Sequence, residues 1–270
     1  MRRTTEHRSG LDKQRWANDR LWARADLLKT YASRSLHPAE AIALVRYREE
    51  LTGRVIDLGC GGGRLTGYLG TLAQHTTGMD LSPVMLDYCR RRYPDAHFDL
   101  GDIRDLSAYA DGSFDAVCAV GNLFDVLNDA ERRRVLRDVG RMLRPGGLLL
   151  FSSHNLAAEA HRRRPTQLRF TDPARFALDA LRLPRSMVNH LRLRPYERHE
   201  GDHAYLNDMS HDYMALHYYI GRDGQERQID EAGFKLLEAL DSEGHHVPAG
   251  ETAESSQYLH YIARRSEVAG

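Results

Sequence analysis

Val55-Ile56-Asp57-Leu58-Gly59-Cys60-Gly61-Gly62-Gly63-Arg64-Leu65-Thr66 is the stretch on which the reading of this chain turns. Aliphatic residues typical of a buried strand run straight into a glycine-dense turn, and a helix-compatible segment follows. Glycine accepts positive φ and lets a backbone come close to a ligand. A strand, a glycine turn and a helix in that order predict a binding turn at the end of a parallel strand. A dinucleotide fingerprint would be spaced G-x-G-x-x-G. Here the spacing is G-x-G-x-G, and Arg64 stands where the last small residue belongs. Asp57 lies two residues before the first glycine. A carboxylate there repels a diphosphate and attracts a cation.

Outward from this turn, strand-like and helix-like segments alternate. Strand candidates are 54–59, Thr76–Asp80, His97–Leu100, Phe114–Val120 and Leu148–Ser152, with helical stretches at Pro83–Arg92 and Ala130–Met142 between them. That alternation implies βαβ units and a parallel sheet with helices on both faces. A further helix over 222–233 and two strands, Phe234–Leu240 and Tyr258–Ala263, fit an antiparallel pair that closes the sheet. Residues 1–52 carry helical periodicity, with Pro38 opening a second helix. Residues 154–220 contain no clear strand. They are too long for a plain connection and predict a helical lid over the substrate. The expected division is an N-terminal helical cap (1–52), a core (53–153 and 221–270) and a lid insertion (154–220).

Acidic residues recur at the expected strand ends, where open α/β sheets collect ligands. Asp80, with Leu81 beside it, follows Asp57 by 23 residues and can accept from ribose hydroxyls. Asp80 or Ser82 could equally cap the helix opening at Pro83. Asp102 can accept from an adenine amine while Ile103 packs on the ring, and Gly121-Asn122 ends the fourth strand. S-adenosylmethionine carries a sulfonium and an ammonium and no phosphate, so it suits an acid beneath a glycine turn. The segments VIDLGCGGGRLT, GMDLSP, GDIRDL, FDAVCAVGNLFDVL and LRPGGLLLFSSHN, in this order, resemble a class I S-adenosylmethionine-dependent methyltransferase of small-molecule type.

The resemblance implies a Rossmann-like, doubly wound sheet of seven strands with the last antiparallel. It implies Asp57, Gly59, Cys60 and Gly61 around the methionine part of the cofactor, with S-adenosylhomocysteine as product. Asp80 and Leu81 would hold the ribose, Asp102 and Ile103 the adenine, and Gly121 and Asn122 the methyl-facing mouth. Nucleic-acid enzymes of this fold that act on amines carry an N-P-P-[YF]-type segment; Gly121-Asn122-Leu123-Phe124 stands there instead.

Methyl transfer needs a nucleophile held in line with the leaving sulfur, and a base if the nucleophile arrives protonated. His154, directly after the fifth strand, is the first candidate base; the alternative is a polar residue that orients a loop. Tyr213 and His217, four residues apart, would share one helix face as an aromatic wall with a base, or as plain core. Tyr31, Arg34, Asn155 and Tyr218 are candidate substrate contacts. His245-His246 lacks partners at ligand spacing and reads as loop, so no metal is expected.

The chain has 270 residues, with 38 Lys+Arg against 38 Asp+Glu and a sequence pI near 7.3. Zero net charge argues against a protein built to coat nucleic acid or an anionic membrane. Residues 151–200 hold ten arginines against five acids, which reads as a solvated surface or as a basic cover for an anionic substrate. Three cysteines, Cys60, Cys89 and Cys118, show no ligand spacing and suggest no disulfide framework. There is no signal-like apolar stretch at the N-terminus and no window long enough to span a membrane. A cytoplasmic enzyme with a small-molecule substrate is therefore expected, and a homo-oligomer is compatible with it. Three alternatives stay open. The same cofactor could be cyclised or cleaved without methylation, the chain could only sense it, or a nicotinamide dinucleotide could bind instead.

Overall fold

Strands with apolar residues at successive positions can be buried on both faces, and β-strands with such runs (55–56, 116–119 and 148–151) build the centre of this molecule. The computed structural model describes residues 2–22, 35–159 and 173–267. β1 (Arg54–Leu58), β2 (His75–Asp80), β3 (His97–Leu100), β4 (Phe114–Ala119) and β5 (Leu143–Asn155) lie in the order β3-β2-β1-β4-β5, each parallel to its neighbour. Alternate side chains divide between two layers. Ile56, Leu58, Val117, Ala119, Leu149 and Phe151 enter one core, and Val55, Ala116, Cys118, Leu148 and Leu150 the other. This is the period of two expected of a pleated strand. At the far edge, β10 (Tyr258–Arg265) runs antiparallel to β5 and to β9 (Phe234–Leu240), as the closing pair should.

Helices fill both layers. α1 (Arg2–Trp22) and α2 (Pro38–Arg46) precede the sheet, and α3 (Arg64–Leu69), α4 (Pro83–Arg92) and α5 (Asp129–Met142) connect its strands. In α5 an Asn128–Glu131 capping box starts the helix. Arg132, Val135, Leu136, Val139 and Met142 then follow at helical spacing and face inward. α1 lies across the turn after β4: Gln14 and Asn18 donate to the carbonyls of Leu127 (3.1 Å) and Val126 (2.8 Å). α6 (Pro173–Leu193) and α7 (Arg222–Glu231) complete the helices of the described residues. None of them is long and apolar enough to cross a membrane.

Two expectations are corrected here. The sheet has ten strands among the described residues, not seven, and the insertion is not all helical. After α6 come β6 (Arg198–Glu200), β7 (His203–Leu206) and β8 (His217–Ile220), an antiparallel leaf. β8 joins the main sheet by pairing His154 with Tyr219 and Asn155 with Ile220 at the tip of β5. The physical reason lies in HAYL and HYYI, short aromatic and aliphatic runs that pack as strands. β5 outruns β4, whose pairing with it stops at Phe151, so its last residues have an edge to offer.

Candidate active site

The C-terminal ends of β1, β2, β3 and β4 open on one cavity. It is lined by Asp57, Gly59–Gly62, Asp80–Ser82, Gly101–Arg104 and Val120–Leu123, with Asn18 and Asp19 of α1 on the opposite wall. Every residue expected to bind the cofactor lines it. Gly59, Gly61 and Gly63 all take positive φ. A Cβ at Gly59 would strike the Leu123 side chain, and one at Gly63 would lie 2.5 Å from the Tyr93 ring. The turn therefore needs glycine for its backbone conformation and also for the space beside it. Asp80 fastens the turn to β2: its carboxylate accepts from Gly61 N (2.9 Å) and Ser82 N (2.8 Å). Ser82 rather than Asp80 caps α4, accepting from Met85 N at 3.4 Å.

The cavity favours a cation. Asp57 is buried and accepts from the Thr66 hydroxyl at 2.6 Å. Burial pushes its carboxyl up to about 7, although Thr66 and the Arg64 charge pull the other way. Burial also raises the Asp80 carboxyl. The two arginines on the wall are already matched by acids. Arg64 pairs with the buried Glu40 (2.8 Å), and Arg104 pairs with Asp19 (2.5 Å) and approaches Asp102 (3.4 Å). Asp102 also accepts from Arg104 N at 2.9 Å, which holds its loop. Exposed Leu81 and nearly buried Ile103 supply apolar surface between the acids. Among the described residues a phosphate would meet acids and two arginines already paired, whereas a sulfonium and an ammonium would meet carboxylates.

Beyond β4 the chain bends sharply. Gly121 and Asn122 both take positive φ, and Asn122 N donates to Ser152 Oγ at 2.8 Å. Asparagine tolerates that conformation better than most residues. Asn122 lines the cavity and its Nδ2 lies 3.3 Å from His154 Nε2; His154 itself is not among the lining residues. His154 Nδ1 faces Asp125 Oδ2 at 2.7 Å, and His154 N donates to the same oxygen at 2.6 Å. Asp125 is fully buried and meets Arg132 Nη1 (2.5 Å) and Ser153 Oγ (2.8 Å). Burial would raise its carboxyl, but the Arg132 guanidinium and His154 outweigh burial and hold it below the usual range.

A second carboxylate–imidazole pair packs on the first. The His217 ring lies 5.1 Å from that of His154 at an interplanar angle of 18°. Its Nδ1 faces Asp208 Oδ2 at 2.8 Å, and the Tyr219 hydroxyl donates to the same oxygen at 2.6 Å. Burial opposes charge on both partners. Their mutual attraction prevails, so Asp208 sits well below the carboxylate range and His217 above the imidazole range. Burial and Asp208 raise the Tyr219 hydroxyl well above its ordinary value. Ligand atoms of His154, Asp208 and His217 lie within 4.8 Å of one another, a spacing open to a metal ion. Asp208 Oδ2 already receives two donors, which any ion would have to displace.

Of the residues proposed for chemistry, the structure joins His154 and His217 and separates the rest. Tyr213 and His217 do not share a helix face. Tyr213 ends a short turn with φ +59°, its ring against His190, whereas His217 begins a strand. In that strand the period of two brings His217 and Tyr219 to Asp208 and sends Tyr218 elsewhere. Tyr218 is fully buried, donates to Asp129 (2.7 Å), accepts from Gln228 (2.6 Å) and covers the Arg132 guanidinium. It belongs to the core rather than to a substrate wall. Asn155 is equally buried, its amide donating to the carbonyls of Thr252, Ala253 and Ser256, so it clamps a loop. Tyr31 and Arg34 lie outside the described residues. His245 is exposed and faces Asp241 at 3.2 Å. Tyr219 belongs to the aromatic stripe 213–219 read as wall or core, whereas the sequence assigns no role to Asp125, Asp208 or Arg132. A buried-type strand reading of HYYI was the available signal for Tyr219; none marked the two acids.

Comparison with known proteins agrees with this arrangement. Residues 55–147 match a family described as Methyltransferase domain. The chain is 33% identical over 156 residues to a ubiquinone biosynthesis O-methyltransferase of Xanthomonas oryzae pv. oryzae. That match takes in 55% of this chain and spans 62% of the relative's length. Among solved structures, an S-adenosylmethionine-dependent methyltransferase from Clostridium acetobutylicum superposes with a TM-score of 0.58 at 14% identity, over 85% of this chain and 91% of that one. The Burkholderia thailandensis 1,6-didemethyltoxoflavin-N1-methyltransferase, bound to 1,6-didemethyltoxoflavin and S-adenosylhomocysteine, gives 0.53 at 14% identity, over 98% and 90%. At these identities the structural likeness concerns the fold.

Proposed function

We propose that this chain, whose residues 55–147 match a family described as Methyltransferase domain, is a class I S-adenosylmethionine-dependent methyltransferase that methylates a hydroxyl or amine of a small molecule. When bound, S-adenosylmethionine supplies an electrophilic methyl group. The residues present fit it. The glycine turn leaves no room for side chains, buried Asp57 and half-buried Asp80 suit its cationic end and its ribose, and Leu81 and Ile103 suit an adenine ring between them and Asp102. Gly121 and Asn122 form the mouth toward the acceptor.

His154 is the group proposed to take the acceptor's proton. Asp125 receives Nδ1–H, which leaves Nε2 as an acceptor; it accepts from the Asn122 amide at 3.3 Å, a donor that the acceptor's hydroxyl or ammonium would replace. A hydroxyl or ammonium acceptor would give its proton to that nitrogen, which frees the acceptor's lone pair for the methyl group. α1 lies over the cavity through Asn18 and Asp19 and would limit access of water. The arginines on the wall are paired with acids, so this cavity by itself offers no unshared cation to an anionic acceptor.

The observation that carries the reading is the convergence of four strand ends on one cavity lined by Asp57, Asp80 and Asp102, in which Arg64 and Arg104 are already paired with acids. Calorimetric titration with S-adenosylhomocysteine tests it first, with micromolar affinity expected and NADH not binding. Incubation with S-adenosylmethionine and a panel of hydroxylated and aminated metabolites should then give S-adenosylhomocysteine and a product heavier by one methylene. Methylthioadenosine without a methylated product would point to cofactor cleavage instead, and absence of binding would remove the proposal.

A further inference from the structure

Proton abstraction by His154 leaves a second buried imidazole unexplained. His217 is 4% exposed, lies against His154 and has its own carboxylate. The charged and titratable groups around the two rings come from several elements. Asp125 lies in the turn after β4, Arg132 in α5, Asp208 between β7 and β8, and Tyr219 in β8, with the Glu197 charge felt at Tyr219. Arg132 and Asp125 form one pair of opposite charges. If His217 carries a proton, it forms a second such pair with Asp208. A neutral His154 then leaves the whole buried cluster without net charge. If His217 is neutral, Asp208 stands uncompensated 4.0 Å from His154 Nε2. A bare carboxylate at that distance would draw a proton onto the nitrogen that a base must keep free.

We infer that Asp208 and His217 are positioning residues for His154: their buried ion pair keeps a proton on His217 so that Nε2 of His154 remains an acceptor. The inference takes its purpose from the methyltransferase reading but depends for its truth only on where protons reside. Tyr219 supports the arrangement by giving Asp208 Oδ2 a second donor, which keeps the carboxylate ionised and its oxygen in place. The raised proton affinity of His217, which burial alone would reverse, agrees with this placement.

Imidazole nitrogen chemical shifts report protonation and tautomer without any substrate. The probe is the full chain labelled with 15N-histidine at pH 7, with His154 and His217 signals assigned from H154Q and H217Q. In the wild type, His217 should show the imidazolium pattern and His154 the neutral pattern protonated on Nδ1. In H217Q the ratio of protonated to neutral His154 should rise at least about tenfold, because a carboxylate has lost its counter-charge. In the H217Q/D208N double variant both charges are gone, and His154 should return to the neutral pattern. A merely structural pair would make the double variant the worse of the two, and that result overturns the inference. So does a neutral His217 in the wild type, or a His154 signal in H217Q that does not move. If H217Q fails to fold, D208N alone decides, since His217 should then lose its proton at pH 7; a His217 that stays cationic there counts against the pair. Stoichiometric Zn²⁺ binding by the wild type, lost in D208N, would also overturn it by making these residues ligands. Failure to bind S-adenosylhomocysteine would instead strike the functional reading and leave these signals unaffected.

Discussion

The two halves of the candidate site are built in different ways. The cofactor half is local: Asp57 and the glycines lie within seven consecutive residues, and Asp80 fastens them from the adjacent strand. The histidine half is assembled from 122–132, 153–154 and 208–219, segments that meet only because β8 pairs with the tip of β5. In the first half, backbone conformation sets the geometry. In the second, buried charges in matched pairs do. A local motif should tolerate distant changes and fail when its backbone is altered. A charge cluster should fail when one member loses its partner.

The sharpest way to break this contrast is to remove Asp125. D125A leaves Arg132 buried without its acid, keeping only Ser153, Gln225 and Gln228. A loss of about 3 kcal/mol or more in urea unfolding is expected. A loss below 1 kcal/mol would mean that the charges are not what holds this half together. Two glycines test the other half. G63A places a methyl 2.5 Å from the Tyr93 ring at φ +74°, whereas G121A meets nothing within 4 Å at φ +72°. Strain in φ alone is worth about 1–2 kcal/mol, so G63A should fall well below G121A in thermal unfolding. Equal losses would show that the space beside the turn does not matter.

D80N keeps the shape of the side chain but one of its two acceptor oxygens becomes a donor facing a backbone N–H. S-adenosylhomocysteine affinity should drop at least about tenfold, with a smaller change in stability. Comparable losses in D80N and D125A would erase the distinction between the two halves. Asp57 gives a pH signature. Its folded-state carboxyl titrates near 7, above the ordinary 3.8, so the folded chain binds the extra proton. The Asp57 contribution to stability therefore declines as pH rises from about 4 to 7 and levels off above that. D57N should flatten that slope and raise the melting temperature at pH 8 while weakening the cofactor product. In the wild type, product binding should strengthen from pH 5.5 to 7.5 with release of a proton, read by calorimetry in buffers of different ionisation enthalpy. The smallest expected effect belongs to Y218F, which removes one buried hydroxyl between Asp129 and Gln228. About 1 kcal/mol of stability should go, with cofactor-product affinity unchanged.

Legibility in the sequence follows the same division. The order of strands and helices through 54–155 was readable because a continuous apolar run signals a strand buried on both faces and glycine marks its turn. That Asp57, Asp80, Asp102, Ile103, Gly121 and Asn122 would share one cavity was readable because each lies at or just beyond the end of a strand of that series. The leaf β6–β8 was not, since its strands have three or four residues and their aromatic positions fit a helix face as easily. Reading Tyr213 and His217 as one face followed from that, and it put Tyr218 beside a substrate rather than over Arg132. Asn155 looked like a mouth residue because it follows His154; a strand reverses its face at every residue, and Asn155 turned toward the loop at 252–256.

By itself the sequence determined the glycine turn, the parallel core and the acids at the strand ends that line the cavity. Each depends on residues that are neighbours along the chain or that end successive strands of one repeating unit. Only the tertiary structure decided which acids meet which imidazoles, that Arg132 is neutralised by Asp125, and that the insertion adds strands to the sheet. Such pairings depend on segments far apart in the chain. Burial makes them stable only when every charge finds its partner at once, and no local pattern of residues records that condition.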